Sequence, residues 1–191
     1  LFDCIPLAWT SESPPPAAVR KAARWLEGTN PAAELIGASL LLASDTRASA
    51  AEHLKRLASD PDKRIAWLAE TQLWRVAPDG AASAQLRHWA AAIDAGDPAL
   101  AAGAYFLLGS ALAEGAPEEA ALVLMKVPIL YEREDRLAAA SLLAAGECLE
   151  KIGRPPQAAG LYRELAARHP RAPEASEARR RLASLEAARE N

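Results

Sequence analysis

The placement of proline constrains this chain more than any other feature. Pro31, Pro61, Pro98, Pro117, Pro155 and Pro173 each stand just ahead of a run rich in Ala and Leu. A helix accepts proline in its first turn, where the N–H groups have no partner inside the helix, and rejects it further in. Asn30, Asp60 and Asp97 precede three of these prolines and can take hydrogen bonds from the first free amides. Gly28, Gly80, Gly96, Gly115 and Gly153 fall between the runs, where a residue able to turn left-handed ends a helix. These marks predict ten helices, near 16–27, 31–44, 47–59, 61–76, 80–95, 98–114, 117–131, 135–152, 155–169 and 173–188. Their connections are only a few residues long, which forces neighbours antiparallel, so a row of helical hairpins is expected.

Composition agrees with that pattern. About a quarter of the residues are Ala, with Leu, Glu and Arg also plentiful, and these are strong helix formers. β-Branched and aromatic residues are too sparse to furnish a sheet. Ile65, Trp67, Leu68, Ala69 and Trp74 recur at helical spacing, as do Leu142, Leu143, Leu149 and Ile152. Segments this short are unstable alone and must pack to persist. The expectation is therefore an all-α fold, a single helical-repeat domain over 16–191 of about five hairpins, with 173–188 as a capping helix. Residues 1–15 are expected to be an extended arm or linker, anchored by Phe2, Ile5, Leu7 and Trp9 and leading into Pro14, Pro15 and Pro16. Within "LVLMKVPILYERED", Pro128 predicts a kink or stop near Val127, with Ile129 to Glu132 as a separate last turn.

The hairpins repeat. Asp60, Asp97 and Asp135 stand 37 and 38 residues apart, Gly115 and Gly153 are again 38 apart, and Ala120 and Ala158 each follow five residues later. From Leu142 to Pro170 the chain resembles a tetratricopeptide repeat. Gly146 matches the small residue of the first helix, Gly153 the turn, Ala158 the small residue of the second helix, Tyr162 its aromatic position and Pro170 the closing proline. Leu142 and Leu149 stand where the family has its first-helix aromatic and tyrosine. The likeness is best over 135–170 and weakens toward the N-terminus. The hairpin from Asp97 has Gly115, Ala120 and Leu124 in register but Gly109 displaced by one; the hairpin from Asp60 offers Trp67 and Trp74 as the aromatic pair. The resemblance implies a right-handed α-α superhelix of stacked antiparallel hairpins. The C-terminal "LYRELAARHPRAPEASEARRRLASLE" is similar to the final repeat of bacterial envelope proteins of this class, which implies a bacterial periplasm or envelope setting, the cytoplasm being the alternative.

Chemistry-bearing patterns are missing. The chain has no GxSxG, no glycine-rich phosphate loop and no HExxH. His53, His88 and His169 are isolated, and Cys4 and Cys148 lack a CxxC companion, so no metal site or cofactor is expected. Acidic pairs such as Glu118 and Glu119 sit at helix starts, where the helix dipole favours them. A formal net charge of -3 argues against nucleic acid, and the run Arg179 to Arg181 is flanked by glutamates. No apolar run reaches the roughly 20 residues of a membrane span. The expected function is non-enzymatic: a scaffold that binds a peptide or helix of a partner protein, with a structural spacer or self-assembly domain, and hence a homo-oligomer, as the alternative. In the family this chain resembles, the first helices line a concave groove. That register places Gln72 and Arg75 inward in one hairpin, Tyr105 in the next, and Glu147, Glu150 and Lys151 in the third.

Overall fold

Three of the six prolines begin α-helices as expected, and Pro16 begins one besides. Pro16 opens α1 (Pro16–Leu26), Pro31 opens α2 (Pro31–Leu41), Pro117 opens α7 (Pro117–Leu130) and Pro155 opens α9 (Pro155–Arg168). Between them lie α3 (Arg47–Leu57), α4 (Lys63–Leu73), α5 (Ser83–Ala95), α6 (Ala102–Leu112) and α8 (Asp135–Lys151), and α10 (Glu174–Glu190) closes the chain. The structure is a computed structural model that describes residues 8–10, 13–76, 82–131 and 133–190. Among those residues every regular element is a helix.

The capping residues are partly those expected. The Asn30 side chain accepts from the amides of Ala32 and Ala33, a cap that contributes about 1 kcal/mol. The cap of α4 is Asp62, accepting from Arg64 N–H, while Asp60 accepts from Asp62 N–H one step earlier and Pro61 stays outside the helix. Asp97 accepts from Ala99 N–H and opens a short 3-10 segment, Pro98–Leu100, ahead of α6. Among the described glycines only Gly153 takes the left-handed conformation, with φ 69°. Gly28, Gly96 and Gly115 end their runs without it, and Gly80 lies outside the described residues.

Of the kink or stop expected near Val127, the stop does not occur: the helix continues to Leu130. Pro128 is buried inside its last turn, and Tyr131 N–H closes that turn on Val127 O at 3.0 Å. A proline this near the end of a helix forfeits one backbone bond, and the burial of Val127 and Pro128 offsets the loss. Glu132 lies outside the described residues.

The chain forms two compact units. Unit 1 comprises residues 1–79 and 94–100, unit 2 residues 80–93 and 101–191. In unit 1, α1 packs on α2, α2 on α3 and α3 on α4, and α2 also reaches α4. Leu35, Leu41, Leu54, Leu57, Ile65 and Leu68 form its core. In unit 2, α6 packs on α7, α7 on α8, α8 on α9 and α9 on α10, with further contacts from α6 to α8 and from α8 to α10. Within each unit the helices other than α5 thus touch their immediate neighbour and, in alternation, the next but one, as in stacked hairpins. The division falls within a stretch for which sequence periodicity draws no boundary; α5 buries only Trp89 and Ile93.

Glycine sets the distance between paired helices. A Cβ on Gly146 of α8 would lie 2.3 Å from Cε1 of Tyr162 on α9, and a Cβ on Gly109 of α6 would lie 2.6 Å from Cγ of Leu124 on α7. The two pairs are one repeat apart, so the same close approach recurs in consecutive hairpins. Gly109, displaced by one in the alignment to the turn, still performs the packing role. In unit 1 the corresponding tight place uses other partners, Gly37 of α2 against the backbone of Ala22 on α1.

Candidate functional site

In unit 1 the even-numbered helices α2 and α4 share a face, and residues 8–10 are held on it. Helix α2 is almost wholly apolar, and Ser39 in its middle is fully buried. A hydroxyl in such surroundings costs free energy unless its hydrogen bonds are made. They are made to one residue: Ala8 N–H donates to Ser39 Oγ at 2.9 Å, and the hydroxyl donates back to Ala8 O at 3.1 Å.

Arg75 completes the capture. It sits in the single 3-10 turn, Trp74–Val76, that follows α4. Its Nη1 donates to Ala8 O at 2.7 Å, to Ser39 O at 2.9 Å and to Gln72 Oε1 at 2.8 Å, while Nη2 donates to Thr10 O at 2.9 Å. All four acceptors are neutral oxygens. Burial, and then the nearby Arg47 charge, push the Arg75 pKa down to about 10, which leaves it cationic at neutral pH. Arg47 Nη2 in turn donates to Arg75 O at 2.6 Å. Trp9, between the two captured residues, packs against the unit 1 core. Gln72, expected to face an open groove, is instead fully buried. The packing of α4 on α2 encloses it, and its Nε2 has no hydrogen-bond partner among the described residues.

In unit 2 the expected residues lie on α6 and α8, and each is engaged within the chain. Tyr105 is half-buried, with Lys126 Nζ 4.6 Å from its ring centroid and the Tyr131 ring 6.2 Å away. Burial, and then Tyr105, push the Tyr131 phenol up to about 12. Lys151 Nζ donates to Glu114 at 2.6 Å, and that bond raises its pKa. Glu147 and Glu150 converge on Arg181 of α10, at 2.8 and 3.1 Å, and Glu177 joins them at 2.9 Å. The Tyr162 hydroxyl donates to Glu150 as well. Burial, and then this carboxylate, hold the phenol far above its ordinary range, so it stays a donor. The cluster ties the closing helix to α8 and α9.

Other features are structural. Glu34 is buried on α2 and is met by His53 Nδ1 at 2.7 Å and by Arg56. Cys148 is a buried free thiol whose pKa burial raises; Cys4 lies outside the described residues. An open cleft of about 590 Å³ in unit 2 is floored by Leu86, Ala90, Leu108 and Leu112 and rimmed by Arg87 and Glu119. Among the described residues no cluster of His, Cys, Asp or Glu could hold a metal ion, and no helix is long and apolar enough to cross a membrane.

Sequence reasoning singled out Arg75 and named Trp9 as an anchor of the arm, with Phe2, Ile5 and Leu7 outside the described residues, but missed Ser39. The available signal was a lone hydroxyl within the apolar run "IGASLLL", a position that demands a partner. Compared with protein-family models, with curated proteins and with solved structures, the chain matches none.

Proposed function

We propose that this protein is a binding scaffold of the tetratricopeptide type, whose hairpins follow a right-handed superhelical stacking and whose even-numbered helices present the face that takes a partner protein. The observation that carries this reading is the capture of residues 8–10 in unit 1. A buried serine and an arginine hold an extended segment chiefly through its main-chain atoms, and an aromatic side chain between them packs on the core. Main-chain capture supplies affinity, and side-chain pockets supply selectivity. The partner is a protein or peptide bound non-covalently, without a cofactor and without chemistry on it.

The test is a pull-down from extracts with mass spectrometry, using the wild type, Arg75→Glu and Tyr105→Ala, each checked for an unchanged helical spectrum. Loss of the same partner in at least one variant supports the assignment of these faces; unchanged capture by both removes it.

One observation favours the structural alternative. Leu122, Ile129 and Leu130 on α7 are 70%, 64% and 61% exposed, and Leu122 and Ile129 lie two turns apart on one side of the helix. Apolar side chains grouped in this way suit contact with a second copy. A mass that rises with concentration in light scattering, and returns to the monomer in Leu122→Lys/Ile129→Lys, supports it.

A further inference from the structure

The atoms that hold residues 8–10 describe what the α2–α4 face recognises. Ser39 Oγ brackets both the N–H and the C=O of one residue, which only an extended or turn-free main chain can present together. Arg75 spans from that carbonyl to the carbonyl two residues on, which sets the reach of the site at three residues. Between the two carbonyls stands Trp9, half-buried against the same core that α2 and α4 build. None of these contacts reads the side chain of Ala8 or Thr10. The preference of the site is therefore an aromatic residue between two residues whose side chains these contacts do not read, with the main chain extended enough to offer both carbonyls.

A second feature shows that the site is built rather than incidental. Ser39 and Gln72 are both fully buried polar side chains in an otherwise apolar interface. Ser39 obtains its partners from residue 8, outside the helices, and Gln72 Nε2 has no partner among the described residues even with residues 8–10 in place. Remove the segment, and Ser39 Oγ loses both bonds while Arg75 loses two of its four acceptors. The face thus offers polar groups that a peptide main chain meets directly and that only water would meet when the segment is away.

We infer that the α2–α4 face of unit 1 is a receptor for an extended peptide segment with a central aromatic residue, and that residues 8–10 are its tethered occupant, which a partner segment of the same kind must displace. This rests on the scaffold reading above and adds to it both the ligand class and its control. A tethered ligand competes at an effective concentration in the millimolar range, so it lowers the apparent affinity of every ligand for the face by the same factor, the inverse of the fraction of the face left free.

The experiment uses the full chain. Ala8→Pro removes the N–H that Ser39 accepts and leaves the receptor side chains untouched; Trp9→Ala weakens the tethered segment independently, should the proline variant fold poorly. The probe is a fluorescent synthetic peptide with the sequence of residues 5–14, followed by anisotropy, with the same peptide carrying Ala in place of Trp9 as control. The expected result is binding to Ala8→Pro at least about tenfold tighter than to the wild type. That binding is lost when Ser39→Ala is added and is lost with the control peptide. Binding to neither protein, equal binding to both, or binding that survives Ser39→Ala each overturn the inference. If the peptide fails while partner capture by the wild type still depends on Arg75 or Tyr105, the tethered occupant alone is refuted; if that dependence also fails, the scaffold reading goes with it.

Discussion

Gly146→Ala should destabilise unit 2, although alanine is the better helix former. In an exposed helix the exchange would stabilise by about 1 kcal/mol. Here the new methyl carbon would sit 2.3 Å from Cε1 and 2.8 Å from Cζ of Tyr162, against an ordinary carbon contact of about 3.5–4.0 Å. The ring cannot swing aside. Tyr162 is fully buried among Leu142, Ala158 and Leu165, and its hydroxyl is bound to Glu150. Either the α8–α9 spacing opens or the ring leaves its rotamer, and overpacking of this kind costs about 1–3 kcal/mol, with an overlap above 1 Å at the upper end. The net loss is then about 2 kcal/mol, which at this chain length lowers the melting midpoint by roughly 4–8 °C. Gly160→Ala on α9 is the control, because a Cβ there meets nothing within 4 Å, and it should gain about 1 kcal/mol. Both are measured by urea unfolding followed by circular dichroism. Adding Tyr162→Leu to Gly146→Ala should give a total loss smaller than the sum of the two single losses. A Gly146→Ala protein as stable as the wild type would refute the claim that this glycine sets the helix spacing.

Gly109→Ala should cost a similar amount, because the new Cβ would press on Cγ of Leu124 at 2.6 Å and on its backbone N at 3.2 Å, and the same unfolding assay compares the two. Arg181→Ala should loosen α10, since Glu147, Glu150 and Glu177 would then face one another without their shared cation; about 1 kcal/mol is lost, and faster amide exchange in α10 is the measurement. Tyr131 gives a pH dependence. Its folded pKa of about 12 lies above the ordinary value of 10, so its contribution is complete below pH 10 and is lost as pH rises toward 12. Spectroscopic titration of the phenols should show two late components, from Tyr131 and Tyr162, of which Tyr131→Phe removes the earlier, and the alkaline fall in stability should shrink with it.

Helix positions were legible because proline and the capping residues act locally. The energy that places Pro31 at the first position of α2, or Asn30 as its cap, is spent within one turn. The Gly146–Tyr162 contact was legible for a different reason. It repeats a spacing that close helix packing imposes, so the pattern carries information across two helices. Of the kink or stop expected at Pro128, the stop fails because the local rule omits burial; the apolar contacts of the last turn of α7 outweigh one missing backbone bond. The glycines were over-read for a similar reason. A short connection needs a left-handed residue only when its carbonyls are satisfied in that way, and Gly96 serves instead to admit the Trp67 ring, which would lie 2.6 Å from a Cβ there.

The six residues placed inward by repeat register were legible as positions but not as surfaces. Register says which side of a helix a residue occupies, whereas availability depends on what else lies on that side. Gln72 is enclosed, Arg75 is spent on residues 8–10, and Glu147 and Glu150 are spent on Arg181. Each of these partners is contributed by a distant part of the chain, 65 or 67 residues away for Arg75 and 31 for Glu150, so no window of local sequence contains them. The two cases differ in kind. Arg181 belongs to a packed helix whose removal would unfold the end of unit 2, whereas residues 8–10 belong to no helix and pack through one aromatic side chain and the hydrogen bonds of Ser39 and Arg75. A face closed by a structural helix is finished. A face closed by a short segment, with buried polar groups that depend on it, is the face on which the proposed exchange with a partner segment rests.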